Sequence, residues 1–167
     1  MTSVTAGGHH HDVDVIVLAT GLRAHDYMRP MRVVGRGGVT LDDVWRDSPR
    51  AYRMTAIPGF PNLFTVLGPN SPTGPISLQY SASVTATYII AWLTRFRAGE
   101  VDRIEVTDEA TDEFNAQVDD AMEPTVWNTG CNSWYQTGTG IDLWPFDRRT
   151  MESMLAGPDD RHVTLRG

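Results

Sequence analysis

Two places in the chain join an apolar run to a glycine turn. Val13 to Ala19 runs into Thr20 and Gly21, and Asn62 to Leu67 runs into Gly68, Pro69, Asn70 and Ser71. Both runs read as buried strands, and in open α/β sheets ligands bind beyond the carboxyl ends of strands. A glycine at such a point lets the backbone approach a bound molecule closely. The second turn also opens a helical pattern, whose free N–H groups and partial positive charge favour an electron-rich group. The alternative at each place is a plain strand end closed by a tight turn.

Other residues invite chemistry with less support. Trp134 and Tyr135 follow Cys131 in "TGCNSWY". Tryptophan has a broad apolar face and one N–H donor, so it can hold a ribose or an amide, or simply pack in a core. Cys131 lacks a nearby base, which a catalytic thiolate needs, and reads as a small structural hydrophobe. His9, His10 and His11 are adjacent in a polar start and form no preorganised metal site. Asp142, in "DLWP", reads as structural. No G-x-G-x-x-G follows a strand, and there is no P-loop, G-x-S-x-G or C-x-x-C.

These residues need elements to position them. Residues 1–12 read as a loose segment. "VVGRGGVTL" reads as a hairpin turning at Gly35 to Gly38, "LDDVWRDSP" as one helical turn, and "IPGFPN" as a turn-rich connection. A helix is expected from about Ile76 to Arg97, with Pro75 in its first turn and Gly99 ending it. Arg103 to Thr107 reads as a short strand. Asp108 then caps a helix whose apolar face carries Ala110, Phe114, Val118, Ala121 and Met122. The segment from Pro124 shows no period, and long irregular segments often carry function. A helix over Asp147 to Leu155 and a tail, 158–167, close the chain.

Composition narrows the function classes. The chain has 167 residues, 14 basic and 21 acidic, with a net charge of −7. An acidic chain is a poor counterion-displacing surface, so nucleic-acid binding is not expected, nor binding to an anionic membrane. The apolar stretch Ala86 to Phe96 is too short to span a bilayer. One cysteine permits no internal disulfide and fits a reducing, cytoplasmic compartment.

Taken in order, the motifs resemble one family. D-x-x-x-x-A-T-G, then G-F-P-N-L-F, G-P-N-S, a helix, and W-x-x-G-C-x-S-W-Y…W-P are similar to the C-terminal part of FAD- and NADPH-dependent monooxygenases. The type is Baeyer–Villiger, related to the flavin-containing monooxygenases. The resemblance covers about Asp12 to Met154. It implies an α/β fold, namely an incomplete FAD/NAD(P)-binding fold of two dinucleotide-binding domains, with 13–157 as the C-terminal portion of the FAD domain.

The resemblance further implies that Ala19, Thr20 and Gly21 lie where the chain re-enters the FAD domain. Gly68, Pro69, Asn70 and Ser71 would lie near flavin and substrate. The helix start near Ser77 and Leu78 would face the flavin pyrimidine, and Trp134 would touch the nicotinamide cofactor. No catalytic residue is identified. The implied full-length activity puts one atom of O₂ into a ketone, or onto a soft N or S atom of a small organic substrate. Both G-x-G-x-x-G motifs and the arginine beside the flavin are missing from these residues. The chain alone is therefore expected to bind FAD poorly and to be inactive. It is expected otherwise to pair with a separate N-terminal half or to form a homo-oligomer. The remaining reading is a non-catalytic interaction protein.

Overall fold

A computed structural model describes residues 2–21, 23–71, 74, 76–130, 133–138 and 140–166. Pro75 and Cys131 lie outside the described residues. The elements in chain order are β1 (Thr2–Ala6), β2 (His9–Val13), α1 (Leu41–Val44), α2 (Leu78–Arg97), β3 (Arg103–Val106), α3 (Asp108–Met122), α4 (Arg148–Met154) and β4 (Val163–Arg166), with three short 3-10 turns. The architecture is mixed α/β. Among the described residues, β1 pairs with β2 and β3 with β4, both antiparallel.

Helix α3 shows how sequence becomes structure. Thr107 caps it by accepting the Ala110 N–H at 3.1 Å, so the cap falls one residue before the expected Asp108. Ala110, Phe114, Val118 and Met122 recur at helical spacing and are buried, while the acids face water. That stripe packs in one core with Tyr88 and Trp92 of α2, Ile104 and Val106 of β3, and Leu143, Trp144, Met151 and Leu155. A smaller core holds Leu41, Ala51, Ile57 and Phe60.

Helix α2 begins at Leu78, two residues later than expected, and closes at Gly99, whose φ of +73° suits glycine. α4 covers Arg148–Met154 behind an Asp147 cap that accepts the Thr150 N–H at 2.8 Å. The Gly35–Gly38 turn closes through Gly35 N–H to Val39 O at 2.8 Å, and α1 supplies the expected helical turn.

Four expectations are corrected. Residues 1–12 pair as the β1–β2 hairpin rather than staying loose. The run Val13–Ala19 is not a buried strand: only Val13 lies in one, and Val15, Val17 and Leu18 are 74–81% exposed. A strand of this composition needs neighbours on both edges, and the described residues provide none. Asn62–Leu67 is likewise no strand. It touches the preceding turn through a single Phe64–Ala56 bridge and a Thr65 N–H to Thr55 O bond of 2.8 Å. The tail 158–167 carries β4, which pairs along β3 from Val163 opposite Val106 to Arg166 opposite Arg103.

Candidate functional site

The Gly68–Ser71 turn is the most tightly built of the sequence-predicted positions. Gly68 donates its N–H to Met54 O at 3.1 Å, and Ser71 N–H closes back on Gly68 O at 3.1 Å. A Cβ on Gly68 would fall 2.3 Å from Thr65 Oγ1 and 2.5 Å from Met54 O, so only glycine fits. Pro69, Asn70 and Ser71 are buried. Asn70 sits at φ +65°, a left-handed conformation asparagine tolerates better than most residues. Its carboxamide oxygen is buried and, among the described residues, accepts no hydrogen bond.

What holds Asn70 in that conformation is Asp142. The Asn70 backbone N–H donates to Asp142 Oδ1, and the Tyr27 hydroxyl donates to Oδ2 at 2.7 Å. His25 Nε2 stands 3.5 Å from the same oxygen. Asp142 reaches this point because the chain folds back on itself just before it. Gln136 bridges to Ile141, Thr137 N–H reaches Gly140 O, and Asp142 N–H reaches Tyr135 O at 2.7 Å. Burial pushes the Asp142 carboxyl above the usual range, against the Asn70 N–H, the Tyr27 hydroxyl and the His25 ring, which pull it down. Burial first, then the Asp142 charge, pushes the Tyr27 hydroxyl up, with the Ser71 side chain opposing.

The other predicted positions fall at the surface. Ala19, Thr20 and Gly21 are exposed, and no observed hydrogen bond joins them to the turn. Ser77 is the N-cap of α2 without a side-chain cap bond, and both it and Leu78 are exposed. The first-turn N–H groups of α2 therefore lack intrahelical acceptors. Trp134 is 56% exposed and meets Tyr135 edge-on with ring centroids 5.6 Å apart. Tyr135 also meets Trp127 edge-on at 4.8 Å, and Trp127 lies beside Gly74. A cavity of about 360 Å³ opens next to the turn, with Asn70, Asn115, Asp119, Thr137, Gly140 and Asp142 in its wall. Among the described residues no cluster of ligating side chains could hold a metal.

Known proteins give this geometry a family context. An uncharacterized monooxygenase of Mycobacterium tuberculosis is 46% identical over 164 residues, covering 98% of this chain and 33% of the relative. A Baeyer–Villiger monooxygenase of Pseudomonas aeruginosa is 34% identical over 146 residues, 85% of this chain and 28% of the relative. The chain is homologous to a segment of the Baeyer–Villiger monooxygenases. The NADP⁺-bound cyclohexanone monooxygenase of Rhodococcus sp. Phi1 superposes with a TM-score of 0.79 at 26% identity, over 96% of this chain and 32% of that one. The closed form of a cyclohexanone monooxygenase gives 0.80 at 25% identity over the same shares. No protein-family model matches the chain. The chain spans about a third of the length of the mycobacterial curated monooxygenases it matches.

Sequence reasoning missed His25 and Tyr27, which meet Asp142 beside the turn. Asp142 reads as structural from the sequence, and its carboxylate does tie the Gly68–Ser71 turn to the stretch after Gly21. The available signal was an acid placed next to the apolar Leu143 and Trp144, which are both buried. An acid in an apolar stretch is rarely buried without a partner.

Proposed function

We propose that the chain is the C-terminal portion of the FAD domain of an FAD- and NADPH-dependent monooxygenase of the Baeyer–Villiger type. Residues 13–157 make up that portion. The observation that carries this reading is the buried Gly68–Ser71 turn, lying within a stretch collinear with the cyclohexanone monooxygenases.

The residues present fit a flavin edge. Among the described residues the Asn70 carboxamide oxygen is a buried acceptor without a donor, and the first-turn N–H groups of α2 have no intrahelical acceptor. The pyrimidine edge of a flavin offers the complementary pattern of one N–H between carbonyl oxygens. FAD would supply the store of two electrons and the activation of O₂. Gly68 to Ser71, with Ser77 and Leu78 at the helix start, would hold it. Asp142 would fix the Asn70 backbone, so that the turn meets the cofactor already ordered. Trp134 would lay its exposed ring on the nicotinamide cofactor, and Ala19 to Gly21 would join the neighbouring domain.

The test uses two preparations. Purified alone, the chain is expected to be colourless and to leave NADPH unoxidised. Co-expressed with the part of the M. tuberculosis relative that precedes the homologous segment, it is expected to yield a yellow complex that oxidises NADPH. A complex that forms without retaining FAD would overturn the reading, as would flavin tightly held by the chain alone.

A further inference from the structure

The stretch after Gly21 reaches the Gly68–Ser71 turn with the Tyr27 hydroxyl. That hydroxyl donates to Asp142 Oδ2 at 2.7 Å, while Asp142 Oδ1 receives the Asn70 N–H. Burial and the Asp142 charge push the Tyr27 hydroxyl up, and the Ser71 side chain pulls it down, as a donor to the phenol oxygen does. A phenol donates and accepts at once, and Tyr27 uses both roles. One oxygen therefore grips the turn at two points, at Ser71 directly and at Asn70 through Asp142.

The segment that carries Tyr27 is braced independently of the turn. Met28 packs against the small core of Leu41, Ala51, Ile57 and Phe60. Arg29 donates to Asp26 Oδ1 at 3.0 Å and to Asp42 Oδ1, in α1, at 2.9 Å. The Tyr27 ring meets Trp45 edge-on with centroids 5.7 Å apart. Two successive turns close through Asp26 N–H to Arg23 O at 3.1 Å and Arg29 N–H to Asp26 O at 3.2 Å. Ahead of this segment the bracing stops. Ala19, Thr20 and Gly21 are exposed, and a Cβ on Gly21, at φ +74°, would meet nothing within 4 Å. The chain thus passes from an unpacked stretch into a fixed one within a few residues.

We propose that Tyr27 is a positioning residue for the cofactor turn: its hydroxyl fixes Asp142 and Ser71 in one arrangement and so ties the presentation of Asn70 to the segment that follows Ala19–Gly21. The tie to a cofactor and to a domain joint rests on the proposed function; the positioning itself does not. Asn70 is buried in a left-handed conformation, so where its N–H is pinned decides where its carboxamide faces. The pinning atom belongs to a carboxylate that is 3% exposed. With one donor gone, such a group is freer to turn and harder to keep charged. The other titratable or charged groups facing Asp142 among the described residues are His25 beside Oδ2 and, across the cavity, Asp47, Arg50 and Asp119. His25 Nε2 stands 3.5 Å away, beyond the normal N–H···O distance, and does not duplicate the Tyr27 donor.

Amide NMR of the whole chain, following the Asn70 backbone N–H between about pH 4 and 8, reads the positioning directly. The native chain should show a titration that Asp142→Asn abolishes. Burial pushes Asp142 up, and the Asn70 N–H and then the Tyr27 hydroxyl pull it down. Tyr27→Phe keeps the ring and removes that donor, so it is expected to move the midpoint to higher pH, with circular dichroism confirming the fold. Trp45→Phe loosens the packing around the same ring but leaves the hydroxyl, and is expected to leave the midpoint in place. A purely structural role would move neither midpoint, or both alike. Either result overturns the inference, as does a titration that survives Asp142→Asn unchanged. In the co-expressed complex, Tyr27→Phe is expected to lower kcat for NADPH oxidation several-fold at unchanged flavin content. Native turnover there would overturn the tie to the cofactor. If no yellow complex forms, the proposed function falls and the titration alone decides the positioning.

Discussion

Asp142 concentrates the physics of the site in one residue. Its carboxylate receives the Asn70 N–H from one segment and the Tyr27 hydroxyl from another, 115 residues away in sequence. Asp142→Ala leaves two buried donors without acceptors and is expected to cost about 1–3 kcal/mol in urea unfolding. Asp142→Asn keeps an acceptor for Asn70 and should cost less. The two variants also separate by pH. Burial raises the folded-state pKa of Asp142 above its unfolded value. The folded chain thus keeps a proton that the unfolded chain has already released. Stability from this group is complete at low pH and is lost as pH rises through the raised value. Melting temperatures between about pH 4 and 8 should therefore fall more steeply for the native chain than for Asp142→Asn. Parallel curves would show that Asp142 does not titrate in this window. Gly68 supplies a second residue-scale prediction. Its missing Cβ would overlap Thr65 and a backbone oxygen, so Gly68→Ala is expected to destabilise by about 1–3 kcal/mol in the same assay.

At the scale of elements, the helices and the short strand β3 were legible and the other strands were not, for a physical reason. The 3.6-residue stripe of α3 carries its own instruction, because the face it buries is decided by spacing alone. The cap at Thr107, the Gly99 stop and α4 follow from equally local chemistry. A strand takes its order from its pairing partner, near as in β1–β2 or far as in β3–β4, and its own residues do not name that partner. The run Val13–Ala19 has the composition of a doubly covered strand but no paired edge among the described residues. β4 was invisible because Val163–Arg166 is short and gains its order from pairing with β3. The site shows the same division. The turn motif was legible, while the Asp142 network, made by contacts across the chain, was not. The exposed run leads to a prediction of its own. Val17→Asp with Leu18→Asp should lower binding of an apolar dye and reduce self-association in sedimentation, while leaving the melting temperature within about 1 °C, since neither side chain is packed. A marked fall in melting temperature would mean the run is packed in solution.

For the whole molecule, the exposed apolar groups are arranged in particular places. Val15 to Leu18 lie on one extended run, and Ile90, Leu93 and Phe96 lie at near-helical spacing on the outer side of α2. Val126, Trp127 and Trp134 are also exposed, in the segment whose Tyr135 O accepts the Asp142 N–H. Apolar groups kept out of the core in this way mark surfaces that another body covers. The mycobacterial curated monooxygenases are about three times as long as the matching segment, and the proposed function assigns the cover to the rest of such an enzyme. Hydrogen exchange tests this directly, because an unpaired strand exchanges its amides freely and a paired one does not. In the chain alone, amides 15–18 should exchange within the first seconds. In the complex with the upstream part of the M. tuberculosis relative, they should become protected at about the level of β3, together with the outer side chains of α2 losing access to solvent probes. Protection that appears on α2 but not on residues 15–18 would mean that the two bodies meet without completing a sheet. The run would then be a surface loop in the assembled enzyme, and the order of the Gly68–Ser71 turn would owe nothing to it.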